Sequence, residues 1–173
     1  VRYKRTDVKC PKTDSFIAPR KPLSLLKAAI PFTDEEITVS YNSNHLFVKH
    51  GTTQMSCRLI DARFPDYKVV IPTDNPYKLT VNKNDFQSAL RRVSVFSNKS
   101  TNQVALSISG SELQLAAQDV DFSFEGNERM KCQYNGEDLM IAFNARFLIE
   151  MLSAAESDEI NMELSTPTKA GII

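Results

Sequence analysis

The chain has 173 residues, 42% of them hydrophobic and 24% charged, with 21 Lys and Arg balanced by 21 Asp and Glu. That length can bury a good core in one or two domains, and the zero formal charge argues against a generally basic nucleic-acid binder while permitting positive charge confined to one face. No apolar run approaches the roughly 18 residues of a membrane span, no signal-peptide pattern is present, and three scattered cysteines (Cys10, Cys57, Cys132) form neither a metal knuckle nor a disulfide framework, which predicts a reducing cytoplasm.

Taken in chain order, one pattern recurs three times: a strand, a capped helix, then strands. The units begin near Phe16, Lys78 and Leu139, a period of about 61 residues, and repetition of this kind fixes architecture before single residues are interpreted. The first helix follows Pro19 and Pro22, which suit a first turn whose amides need no partner, and its apolar stripe is Leu23, Leu26 and Ile30. Strands alternate through Ile37, Val39 and Tyr41 and through Leu46 and Val48, with a turn at Asn42–Asn44. Asn82 caps the second helix, with Asp85 in a box-like position and Phe86, Leu90 and Val93 as its stripe. Val104, Leu106 and Ile108 form the next alternating strand, and Ser109–Ser111 its turn. Asn144 caps the third helix, whose stripe is expected to be Phe147, Met151 and Ala154, helped by Leu148 and Leu152. Ile160, Met162 and Leu164 close the pattern. Antiparallel sheets with helices on one face, an α+β fold, is the consistent outcome.

Charge is unevenly placed. The first helix and its entry carry Arg20, Lys21 and Lys27 with no acid among them. The second carries Lys83, Arg91, Arg92 and Lys99 against Asp85 alone, while acids gather at Asp34, Glu35 and Glu36 and at Glu156, Asp158 and Glu159. Solvated helix faces explain most such patterns; phosphate binding is the sharper alternative.

Between the first two units lies LIDARFPDYKVVIP, Leu59 to Pro72. Pro65 holds Arg63–Phe64 extended, and Asp66–Tyr67 can close a turn into a strand over Lys68–Ile71. RFPDY followed by an apolar stretch and a proline resembles the join between the second and third domains of the bacterial DNA polymerase III beta subunit, the sliding-clamp family. FIAPRKPLSLLKA resembles the family's second-domain helix entry, FQSALRRVSVFSN the first helix of its third domain, and IAFNARFLIEMLSA its last helix, so the likeness covers the whole chain.

The resemblance implies a DNA-clamp fold, with residues 1–67 the C-terminal part of a middle domain and 68–173 a truncated C-terminal domain. It implies a non-catalytic, cofactor-free and metal-free processivity factor of the cytoplasm and nucleoid. Two full protomers would close as a homodimer ring around duplex DNA, with helices on the inner face. By position, Arg20, Lys21, Lys27, Lys68, Arg91 and Arg92 would face DNA through sequence-independent phosphate contacts; a second basic linker position of the family is Val69 here. Replicative polymerase subunits, the clamp loader and repair proteins would insert short linear motifs into a groove that Pro65, Val70, Thr168 and Ala170 help to wall. The family's Thr-Asp-Gly-His-Arg-Leu groove segment and its apolar extreme C-terminus are absent from this sequence. Val95 and Phe96 match contacts of the ring's dimer interface. A start without Met in VRYKRTDVK and an end on AGII predict a fragment of a longer protein, one that would be monomeric or associate non-physiologically.

Other signals are weak. His45 and His50 lack a third ligand and read as surface histidines, Asp119 and Asp121 form a lone D-x-D, and no nucleophile setting is recognisable. The alternative to a clamp is a non-catalytic α+β adaptor without a DNA role, favoured if Arg20, Lys27, Arg91 and Arg92 point to different sides.

Overall fold

The computed structural model describes residues 3–4, 6–9, 12–30 and 35–173; Cys10 and Asp34, used above, lie outside them. The chain divides into two compact units, one over Tyr3–Asp66 and one over Tyr67–Ile173.

In the first unit, helix α1 (Arg20–Ala29) precedes strands β1 (Thr38–Tyr41), β2 (His45–His50) and β3 (Thr53–Arg58), paired antiparallel in the order β1-β2-β3. Pro19 occupies the N-cap without a side-chain bond. The strand expected near Phe16 is reduced to one bridge, Ile17 to Ile60. Asn42 turns the chain between β1 and β2, its Oδ1 accepting from the N–H of Asn44 (2.9 Å) and of His45 (2.8 Å). The core is small: Leu46, Val48 and Cys57, with Leu26, Ile30 and Met55 packed on them.

Three expectations differ from the structure. Leu23 is exposed, so the α1 stripe narrows to Leu26 and Ile30, and Ile37, Val39 and Tyr41 are exposed, outside the small core of Leu46, Val48 and Cys57. His50 is not a surface histidine; its side chain is 11% exposed and its Nε2 lies 3.1 Å from Glu35 Oε2.

The second unit contains β4 (Tyr77–Asn82), α2 (Lys83–Val93), β5 (Gln103–Ser109), β6 (Glu112–Asp119), β7 (Phe124–Lys131), β8 (Gln133–Tyr134), β9 (Leu139–Asn144), α3 (Ala145–Ala154) and β10 (Glu159–Leu164). Its sheets run β10-β4-β8 and β7-β6-β5-β9, all antiparallel. The topology explains the repeat. Chain leaves the first sheet by β4, passes through α2 and enters the second at β5; it leaves the second by β9, passes through α3 and re-enters the first at β10. Helix starts at Arg20, Lys83 and Ala145 are 63 and 62 residues apart.

Alternation sets each strand's buried face: Val104, Leu106 and Ile108 of β5, and Ile160, Met162 and Leu164 of β10, all point into one core with Leu79, Phe86, Leu90 and Leu148. Gly110, at φ +56, takes the left-handed position of the β5–β6 turn that a side chain would strain. Asn82 Oδ1 accepts from the amides of Asn84 (2.9 Å) and Asp85 (3.1 Å), whereas among the described residues no reciprocal side-chain bond from Asp85 closes the expected box. Asn144 does more. Its Oδ1 accepts from Arg146 N–H (3.0 Å) and Phe147 N–H (3.3 Å), and its Nδ2 donates to the Thr101 carbonyl at 2.9 Å. Asn144→Ala should therefore cost about 1–2 kcal/mol in urea unfolding, and more than Asn82→Ala, because it also releases the loop before β5.

The expected α3 stripe is rotated. Ala145, Leu148 and Leu152 are buried, while Phe147 is 65% and Met151 38% exposed. Two apolar stripes run along this helix, and packing against α2 and the sheet selects the one with the small Ala145 at its head. The strand expected over Lys68–Ile71 is instead a 3-10 turn, Tyr67–Val70. Val69 and Val70 favour strand by composition but have no ladder to join, so the stretch between Pro65 and Pro72 coils into a turn.

Candidate nucleic-acid and partner interfaces

Arg20, Lys21 and Lys27 are exposed on α1, which buries no residue fully and has no acid in its first turn. On α2, Arg91 and Arg92 occupy the last turn, where positive charge complements the helix dipole. The structure separates these two. Arg92 grips Glu128 on β7 with both arms of its fork, Nε to Oε2 at 3.0 Å and Nη2 to Oε1. The hydrogen bonds from Arg92 hold the Glu128 carboxyl below its usual range, and the carboxylate raises Arg92 in turn. Arg91 forms no ion pair among the described residues.

The other cations of this region are tied to backbone. Lys83 Nζ donates to the Ala155 carbonyl (3.3 Å) and Lys99 Nζ to that of Val95 (3.4 Å). Arg91 is thus the cation of α2 most available to an outside anion. Lys68 sits in the 3-10 turn, exposed.

Of the four positions that the resemblance assigns to a peptide groove, Pro65 lies in the first unit, and Val70, Thr168 and Ala170 lie in the second. All four are exposed. Thr168 and Ala170 belong to a terminal segment fastened to β10: Ile172 pairs with Glu163 (2.8 and 3.0 Å), and Asn75 Nδ2 donates to the carbonyls of Ala170 and Glu163, each at 3.1 Å. Gly171 lies beside the Phe143 ring, where a Cβ would be 3.5 Å from Cζ. Phe147 and Met151, on α3, are also exposed. Helical spacing places these two in the core stripe; the signal that separates them is the surplus of apolar residues on α3, more than one face can bury.

Val95 is 63% and Phe96 39% exposed, both in the 3-10 turn Ser94–Phe96 that follows α2. Phe96 packs against Gly126 of β7, so close that any side chain at 126 would displace the ring. β7 is the edge of its sheet, with one side of its eight-residue ladder unpaired. At its start, Phe122 and Phe124 are exposed and stacked, centroids 6.0 Å apart. Sequence reading missed this pair. Two phenylalanines on one face beside a turn could have marked it.

Among the described residues no three of His, Cys, Asp and Glu are grouped to hold a metal ion, and no helix is long and apolar enough to cross a membrane. Cys57 and Cys132 are buried free thiols; burial pushes the Cys132 thiol up.

An α+β unit in which two capped helices bridge the same two antiparallel sheets, with a cationic helix end and an aromatic sheet edge, is the architecture of a DNA-clamp domain. Residues 68–173 match the family model of the DNA polymerase III beta subunit, C-terminal domain. The chain belongs to that family. It is 30% identical over 151 residues to the beta sliding clamp of Haemophilus influenzae, covering 87% of this chain and 41% of that protein. It is 28% identical over 160 residues to the beta sliding clamp of Staphylococcus epidermidis, covering 92% and 42%. The crystal structure of the Pseudomonas aeruginosa sliding clamp bound to griselimycin superposes with a TM-score of 0.89 at 23% identity, over 96% of this chain and 45% of that one. The Bartonella birtlesii clamp bound to griselimycin gives 0.81 at 32% identity, over 90% and 42%. The chain spans less than half the length of each of these four relatives.

Proposed function

We propose that the chain is the part of a bacterial replication sliding clamp running from its middle domain, residues 1–67, into its C-terminal domain, residues 68–173. It works without catalysis, in the cytoplasm, as an accessory that keeps polymerase on duplex DNA by enclosing it in a homodimeric ring. The observation that carries this reading is the pairing of the family match over 68–173 with a unit whose two helices cross between the same two sheets. A topological tether needs only weak, sequence-blind attraction, and Arg20, Lys21, Lys27, Lys68 and Arg91 supply exposed cations suited to it. Arg92, held by Glu128, contributes less.

Ring closure would use Val95, Phe96 and the unpaired edge of β7. An open ladder flanked by exposed aromatics favours strand addition from another protomer. Polymerase subunits, the clamp loader and repair proteins would dock short apolar motifs on Val70, Thr168 and Ala170, with Pro65 the position assigned in the first unit.

The test is a titration of a peptide bearing Gln-Leu-x-Leu-Phe into the full-length protein that contains this chain, followed by calorimetry. Micromolar binding that falls about tenfold in Val70→Ala is expected. Undetectable binding, or binding indifferent to that substitution, refutes the peptide assignment.

A further inference from the structure

The sheet of the first unit has a second face that the proposed function does not use. Register pairs Ser40 with Phe47 and Phe47 with Ser56, Thr38 with Lys49 and Lys49 with Gln54, and His45 with Arg58. Paired residues share a face, so these side chains stand together on the side opposite the core made by Leu46, Val48 and Cys57. Every charge-bearing or titratable group in that set is a base, and no carboxylate is among them. Among the described residues neither Lys49 nor Arg58 forms an ion pair.

Phe47 stands in the middle of this face, 41% exposed, with the His45 ring 6.1 Å away and inclined by 31°. A phenylalanine directed to solvent on a central strand contributes nothing to the core, because its neighbours Leu46 and Val48 fill that side. Around it Thr38, Ser40, Lys49, Gln54 and Ser56 line a groove of about 570 Å³.

We propose that this face is a platform for single-stranded nucleic acid. Charge selects a polyanion, and the aromatic ring selects one that carries flat bases. A base stacks on Phe47 while phosphates lie toward Lys49 and Arg58, and the hydroxyl and amide groups between them serve base edges or sugars. A sheet with an exposed aromatic ring can hold an unstacked base that a duplex hides, so the occupant is single-stranded and not duplex. The site lies wholly within the first unit and stands whether or not the chain forms part of a ring.

The experiment is fluorescence anisotropy of a labelled dT12 oligonucleotide with the 173-residue chain across a salt series from 20 mM, with inorganic polyphosphate as competitor. Binding is expected with a log–log salt slope near −1.4, for two phosphate contacts at roughly 0.7 each. Phe47→Ala should weaken it about tenfold, the loss of one stacked base, and Lys49→Ala with Arg58→Ala should flatten the slope. Polyphosphate should compete at least tenfold less well per charge than dT12. All three side chains are exposed, so these variants keep the fold. Absence of binding at 20 mM salt overturns the proposal, and so does binding unchanged by Phe47→Ala or matched by polyphosphate. Loss of dT12 binding on Lys27→Ala with Arg91→Ala, with the sheet variants intact, also overturns it and moves the contact to the helices.

Discussion

Replacing Phe86 by alanine is expected to lower the stability of the second unit by about 3–5 kcal/mol. Phe86 is fully buried on α2, and the helix that carries it packs against β4 of one sheet and β6 and β7 of the other. Removing the ring opens a cavity in the buried cluster that α2 shares with both sheets, and a close-packed core relaxes only partly around such a gap. A domain of this size has about 5–15 kcal/mol of total stability, so about a fifth of it or more disappears. At about 4 °C or more per kcal/mol the thermal midpoint should fall by upwards of about 12 °C. Urea unfolding followed by circular dichroism measures the cost. Hydrogen exchange distinguishes a shared core from two separate ones: protection should drop together in β4–β10 and in β5–β6. A loss below about 1 kcal/mol, or faster exchange confined to one sheet, would show that α2 does not hold the two sheets to a common core.

That shared core was legible because its strands alternate strictly. β5 and β10 each place three apolar residues on one face, and a one-residue slip would expose all three, so pattern and register leave one solution. The caps were legible too, since Asn82 and Asn144 are short acceptors placed where amides lack partners. What failed to read shares one physical cause: the outcome depended on a neighbour that sequence does not display. Phe147 and Leu148 are equally apolar, and only contact with α2 decides which turns inward. Val69 and Val70 have strand composition, yet a strand needs an edge to pair with and that stretch has none. Ile37 and Val39 alternate as a strand should, but the core of this unit is limited to Leu46, Val48 and Cys57 and leaves them exposed.

The candidate surfaces were legible as charge and only partly as geometry. Counting cations on α2 treated Arg91 and Arg92 as equivalent because they are adjacent and alike. A helix turns about 100° per residue, so neighbours face different directions. One meets Glu128 across the gap to β7, thirty-six residues away in sequence, and the other does not. No helical spacing rule could have found that carboxylate.

This difference makes the largest functional effect separable into its parts. On duplex DNA, exchanging Arg20, Lys21 and Lys27 together for alanine should reduce the salt slope of binding by about three and weaken binding by roughly 10²–10³-fold at 0.1 M salt. Arg91→Ala should lower the slope by about one, whereas Arg92→Ala should barely change it, since its charge is already compensated by a bidentate carboxylate. Glu128→Gln provides the inverse: freeing Arg92 should raise the slope by about one and strengthen binding. The same release should follow acidification. The carboxyl pKa of Glu128 is lowered in the fold, so the pair is intact at neutral pH and is lost only as pH falls through that depressed value. Measured by anisotropy of a labelled duplex over a salt series, equal losses at Arg91 and Arg92 would mean that the ion pair opens when DNA arrives. No loss in the triple variant would remove α1 from the DNA-facing surface, and with it the argument that the chain's positive helices meet phosphate.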